Sequence, residues 1–146
     1  SGLAGTVTVY VEYSTSPLDY GHVWYGFVPD SLASEAFAQG LYPIEGEEDD
    51  SSRKGDVAWS EEIDDAGEMR LRDFAAATRR NRSWYQWHAF YHCGSFAVDA
   101  FEHATGRPFV CKGYNNPDVL GGCISGCNSG NCLSTQGDLP GDRGLY

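Results

Sequence analysis

Positive charge is scarce in this sequence: 10 Lys and Arg residues face 21 Asp and Glu, a net charge of −11 at pH 7. Such a chain repels a phosphate backbone or an anionic lipid leaflet, which excludes nucleic acid as an expected ligand. Long apolar runs are missing too, and nothing approaches the ~18 consecutive apolar residues of a membrane-spanning helix. The first residues, Ser1-Gly2-Leu3-Ala4-Gly5, carry neither the basic start nor the apolar stretch of a secretory leader. Internal repeats and low-complexity tracts are also lacking. What is present is a globular composition, 41% hydrophobic and 14% aromatic, over 146 residues. That length fits a single domain spanning 1–146, with 111–146 as a cysteine-rich C-terminal tail.

Hydrophobic patterning predicts the elements. Thr6 to Tyr13 alternates, with Val7, Val9 and Val11 on one face, as in a half-buried strand. Tyr20 to Val28 is β-branched and aromatic and stops at Pro29, giving a second strand antiparallel to the first. On it His22, Trp24 and Gly26 share one face and Val23, Tyr25 and Phe27 the other. Ser31 to Gln39 reads as a short helix, Gly40 to Ile44 as a brief strand, and Asp56 to Ile63 as a further strand. The acidic run Glu45 to Asp50 reads as a solvated loop, or else as a dock for a basic partner. Leu71, Phe74, Ala75 and Thr78 recur at helical spacing between Arg70 and Arg80. A second helix runs from Cys93 through Phe96, Ala97, Ala100, Phe101 and Ala104 to Gly106. The tail from Lys112 has no periodicity and reads as ordered by crosslinks.

The five cysteines make an odd count, and only Cys93 lies outside the tail. Cys111, Cys123, Cys127 and Cys132 lack the two-residue knuckle typical of zinc sites, so two disulfides are favoured over zinc or free thiols, with the pairing open. Cys93 opens a helix, where unpaired N–H groups and the helix dipole favour a thiolate. A nucleophilic thiol also needs a base. His103 sits mid-helix and reads as exposed. His88 and His92 are four apart and could hold a metal only with a third ligand, while His92, adjacent to Cys93, points elsewhere. His22 lies on a strand in an aromatic setting, where a structural and a catalytic role are equally open.

Three stretches together resemble the circularly permuted branch of papain-like cysteine hydrolases. They are Gly21-His22-Val23-Trp24-Tyr25, Gly40-Leu41-Tyr42-Pro43, and Cys93 with Phe96-Ala97, Ala104 and Gly106. That branch includes NlpC-type cell-wall peptidases, lecithin:retinol acyltransferase relatives and toxin domains of interbacterial effectors. His22 precedes Cys93, as permutation requires, although His92 stands where many relatives have asparagine. The resemblance covers about residues 10 to 106. It implies an α+β, papain-like fold: a small antiparallel sheet packed on helices. It also implies Cys93 as nucleophile, His22 as general base and no cofactor or metal. Family logic places an orienting polar group on a neighbouring strand, with Gln39 and Asp56 as candidates. The Cys93 N–H and the Gln86 side chain are candidate oxyanion donors. Trp84, Trp87 and Tyr91 read as packing, or as walls of a substrate groove.

The expected activity is therefore a cysteine peptidase or amidase, the toxin domain of an antibacterial effector, secreted or delivered into a target bacterial cell. Its partners would be a protein or peptidoglycan peptide substrate and a cognate immunity protein. The alternatives are an acyl- or thioester-transferring enzyme of the same fold, and a non-enzymatic, disulfide-stabilised binding module with Cys93 inert.

Overall fold

The computed structural model describes residues 3–17, 19–81, 91–111 and 116–132. Five strands, β1 (Leu3–Glu12), β2 (His22–Pro29), β3 (Phe37–Tyr42), β4 (Gly46–Asp49) and β5 (Val57–Asp64), precede three helices. These are α1 (Asp65–Arg80), α2 (Cys93–Thr105) and α3 (Pro117–Asn128). The strands form one sheet in the order β4-β3-β2-β1-β5, and every neighbouring pair is antiparallel. The architecture is α+β.

The alternation in β1 and β2 settles which face is buried. Val7, Val9, Val11, Val23, Tyr25 and Phe27 are all but inaccessible and join one core with Leu71 and Phe74 of α1, Phe96 and Phe101 of α2, and Leu120 and Ile124 of α3. Their register keeps the two valine rows together, since Val7 pairs with Phe27, Val9 with Tyr25 and Val11 with Val23. Trp24 lies on the opposite face, stacked on Tyr10 at 5.3 Å between ring centroids.

Local chemistry sets the helix ends. The Asp64 carboxylate caps α1 by accepting from the Gly67 N–H at 2.8 Å, and Arg79 and Arg80 sit in the last turn, where the dipole favours cations. Helix α2 ends at Gly106, whose φ of +71° is the left-handed conformation expected of a terminating glycine.

Three expectations fail. Ser31 to Gln39 is a turn followed by β3: nine residues with no buried stripe are outcompeted by pairing of Phe37 to Gly40 with β2. The acidic stretch 45–50 contains β4, paired with β3 from Tyr42↔Gly46 to Gln39↔Asp49, and its last residue, Asp50, is buried. The tail contains α3, started by Asn116, whose side chain accepts from the N–H groups of Asp118 and Val119, with proline in the first turn.

Candidate functional site

The end of the sheet where β1 finishes and β2 begins holds His22 in a network of polar side chains. Gly21, at φ +76°, turns the chain into β2, and a side chain there would meet the Glu12 carbonyl at 2.7 Å. His22 follows, 4% exposed and sandwiched between Tyr42 (4.3 Å between centroids) and Trp24 (5.6 Å), both rings close to parallel with the imidazole. Its Nε2 lies 3.0 Å from Oδ2 of Asp50. The other carboxylate oxygen, Oδ1, accepts from the Tyr42 hydroxyl at 2.5 Å. Tyr42 in turn accepts from Arg53 Nη1 at 3.0 Å, and Arg53 Nε donates to Glu12 at 3.0 Å. One continuous chain of hydrogen bonds thus runs Glu12, Arg53, Tyr42, Asp50, His22. Its inner end, His22 with Asp50, is buried, where such hydrogen bonds are strengthened, and its outer end, Arg53 with Glu12, is more than a third exposed.

Gly40 makes the His22–Asp50 contact possible. A Cβ there would fall 2.0 Å from Asp50 Oδ2 and 2.7 Å from His22 Nε2, a space no side chain can share. Tyr42 is held above its ordinary phenol range, first by burial and then by the hydrogen bond and charge of Asp50. It is therefore a donor at any physiological pH.

Cys93 opens α2. Its N-cap residue, His92, makes no side-chain capping bond, so the first-turn N–H groups are not consumed by a cap. Cys93 is buried in the same core cluster as Val23 and Tyr25 of β2 and Phe96 of α2. Burial pushes the Cys93 thiol above its ordinary value; nearby backbone N–H groups and the Arg53 charge act in the opposite direction without overcoming it. Tyr20, at the rim, is also raised, by partial burial and then by the charge on Cys93.

The other sequence candidates lie elsewhere. Gln39 is fully buried but tied to the Tyr25 hydroxyl, to Glu47 (2.9 Å) and to the Ala75 carbonyl of α1 (3.3 Å). Asp56 accepts from the Tyr13 N–H at 2.8 Å. The carboxylate at His22 is Asp50, the residue the acidic run concealed. Its only sequence signal is that it ends the run just before a turn, and burial depends on how the β3–β4 hairpin folds back. His103 is exposed, with Nδ1 2.9 Å from the Asp99 carbonyl. The Tyr91 hydroxyl donates to Asp99 at 3.0 Å. Trp84, Gln86, Trp87 and His88 lie outside the described residues.

A groove of about 540 Å³ adjoins the network on the sheet face opposite the helices. Tyr10, Trp24, Phe37, Asp50, Arg53 and Lys54 are among its walls. Arg53 lies over Trp24 at 5.5 Å from the ring centroid, a cation–π arrangement that keeps its guanidinium at the groove edge.

In the tail the expected crosslinks are present, Cys111 with Cys123 and Cys127 with Cys132, which leaves Cys93 as the free cysteine. Two disulfides fit folding under oxidising conditions. Among the described residues no helix is long and apolar enough to cross a membrane. Compared with known proteins, the chain matches no family model, no curated protein and no solved structure.

Proposed function

We propose that this chain is a cysteine hydrolase of the circularly permuted papain-like type, cutting an amide bond with Cys93, His22 and Asp50. The observation that carries this reading is a buried imidazole held by a buried carboxylate, His22 Nε2 at 3.0 Å from Asp50 Oδ2, on the strand whose Val23 shares a core cluster with Cys93 at the start of α2. In this reading Asp50 accepts from Nε2, which leaves the Nδ1 lone pair as the base.

The steps follow from these roles. His22 Nδ1 takes the Cys93 proton as the sulfur attacks the amide carbonyl carbon. The oxyanion that forms is met by the Cys93 N–H at the uncapped helix start. The imidazolium, stabilised by Asp50, returns its proton to the leaving amine as the C–N bond breaks, and a thioester remains. Water, deprotonated by His22, then attacks the thioester; the acid leaves and the thiol is restored. A raised thiol pKa suits this sequence, because the proton leaves during attack and the resting sulfur is neutral.

The order His22 before Cys93 supports the permuted type. The two disulfides fit a protein secreted or delivered into a target bacterial cell, where it would act as an antibacterial toxin on a protein or on peptidoglycan peptides. An immunity protein would restrain it in the producer. The test is expression of the active chain and of Cys93→Ala in a bacterial cell, followed by mass spectrometry of proteins and muropeptides. A species that changes mass only with the active chain is expected. If Cys93→Ala and His22→Ala both leave toxicity and turnover intact, the reading fails.

One observation favours a different reading, a disulfide-stabilised binding module: Cys93 is only 2% exposed. Alkylation separates the two. In the enzyme, labelling of Cys93 by iodoacetamide at neutral pH slows when His22 is replaced by alanine; in the module it does not change.

A further inference from the structure

The two tail disulfides lie against each other. Cys111 Sγ is 3.9 Å from Cys127 Sγ, and the sulfurs of Cys111, Cys123 and Cys127 all lie within 4.8 Å of one another. The fourth sulfur, Cys132, is bonded to Cys127. Cys132 stands at the edge of this trio through that bond, and the group is set against the apolar core that holds Phe109, Leu120 and Ile124. Helix α3 supplies what the sequence spacing lacked. Cys123 and Cys127, four apart, share a helix face, while Cys111 arrives from before the helix and Cys132 from just after it.

We propose that, once its disulfides are opened by a dithiol reductant, this cluster binds one zinc ion through four thiolates. In a tetrahedral site with Zn–S bonds of ~2.3 Å, neighbouring sulfurs are about 3.8 Å apart. Cys111 and Cys127 already stand at that separation. Within each disulfide the sulfurs must part by less than about 2 Å, which side-chain rotation supplies. Soft thiolates in tetrahedral array select zinc over the harder divalent cations.

Contacts other than the crosslinks also hold α3, and with it Cys123 and Cys127. Asp118 of α3 accepts from both the N–H (2.9 Å) and the hydroxyl (2.6 Å) of Ser14, and Asn128 donates to the Ala58 carbonyl at 3.1 Å. These bonds tie the two ends of the helix to the turn after β1 and to β5, and Leu120 and Ile124 anchor it in the core. In the reaction two dithiols are oxidised to two cyclic disulfides and deliver four electrons and four protons, so four cysteine thiols form. Zinc then displaces the four protons. The chain thus holds crosslinks in an oxidising compartment and a metal in a reducing one.

The test uses the full chain reduced by a dithiol, freed of reductant and titrated anaerobically with cobalt(II), the spectroscopic stand-in for zinc. Expected are the near-ultraviolet thiolate-to-cobalt band and the visible bands of tetrahedral cobalt, saturating at one equivalent and erased by one equivalent of zinc. The oxidised chain gives neither. Cys93→Ala keeps the full signal. Cys132→Ser, which removes the least buried sulfur, lowers the thiolate band by about a quarter, because three of four ligands remain. This graded loss, with circular dichroism unchanged, separates ligand removal from unfolding. A reduced chain without the band, a band unaffected by Cys132→Ser and Cys123→Ser, or one abolished by Cys93→Ala overturns the proposal.

Discussion

Sulfur occupies two regions of this molecule under opposite rules. At the start of α2 a single buried thiol stands apart from the other cysteines, in the core cluster under β2. Around α3 four sulfurs are paired in two disulfides. The same element is left as a thiol in one place and spent on crosslinks in the other. Proximity decides which: the clustered cysteines have each other, and the lone one has none to pair with.

The comparison breaks most visibly through substitutions at both regions. Cys93→Ala is expected to lower turnover by about 10⁴-fold or more, the scale seen when a member of a nucleophile–base set is removed. Cys127→Ser with Cys132→Ser is expected to leave it within about 3-fold, because α3 stays docked by Asp118 and Asn128. Equal losses at the two places would erase the distinction. A next-smaller effect belongs to Asp50→Asn, which keeps the shape but withdraws the negative charge facing His22. The expected fall in kcat is about 10²-fold or more, and the acidic limb of the pH profile should move with it.

Stability sharpens the comparison from the other side. Replacing both Cys111 and Cys123 by alanine opens a crosslink between residues 12 apart, and loop entropy puts the loss at about 3 kcal/mol in urea unfolding. The Cys127–Cys132 link, with a separation of 5, is expected to contribute about 2 kcal/mol. The smallest effect concerns pH. Burial raises the Cys93 thiol above its unfolded value, so the folded chain holds that proton more tightly. Its contribution is present in full below the unfolded thiol range and is lost as pH rises through the folded value. Thermal unfolding across the alkaline range should therefore fall less steeply for Cys93→Ala than for the wild type.

Legibility in the sequence followed the length and regularity of each pattern. Val7, Val9 and Val11 announced β1, and Phe96, Ala97, Ala100 and Phe101 announced α2 together with its end at Gly106, because long apolar stripes bury the same way in almost any context. Motif order pointed to His22 and to a cysteine opening a helix; the structure buries both, and it gives His22 the partner Asp50. Helix α3 was obscured by Gly121, Gly122, Ser125 and Gly126, all weak helix formers; it stands on the Asn116 cap, Leu120 and Ile124 in the core, and its crosslinks. Asn116-Pro117-Asp118 was the available clue. Asp50 had only its place at the end of the run, since the burial of one carboxylate out of a charged stretch is decided by a hairpin and by Tyr42, eight residues away. Gln39, a candidate to orient the histidine, is instead buried and bonded to Tyr25, Glu47 and the Ala75 carbonyl.

The hydrogen at Gly40 stands where any other residue would put a carbon 2.0 Å from Asp50 Oδ2 and 2.7 Å from His22 Nε2. The buried imidazole and carboxylate thus owe their meeting to a position that contributes no atom to it. Drift at codon 40 would part them as surely as loss of either partner, so a lineage that retains both side chains is bound to retain the blank between them.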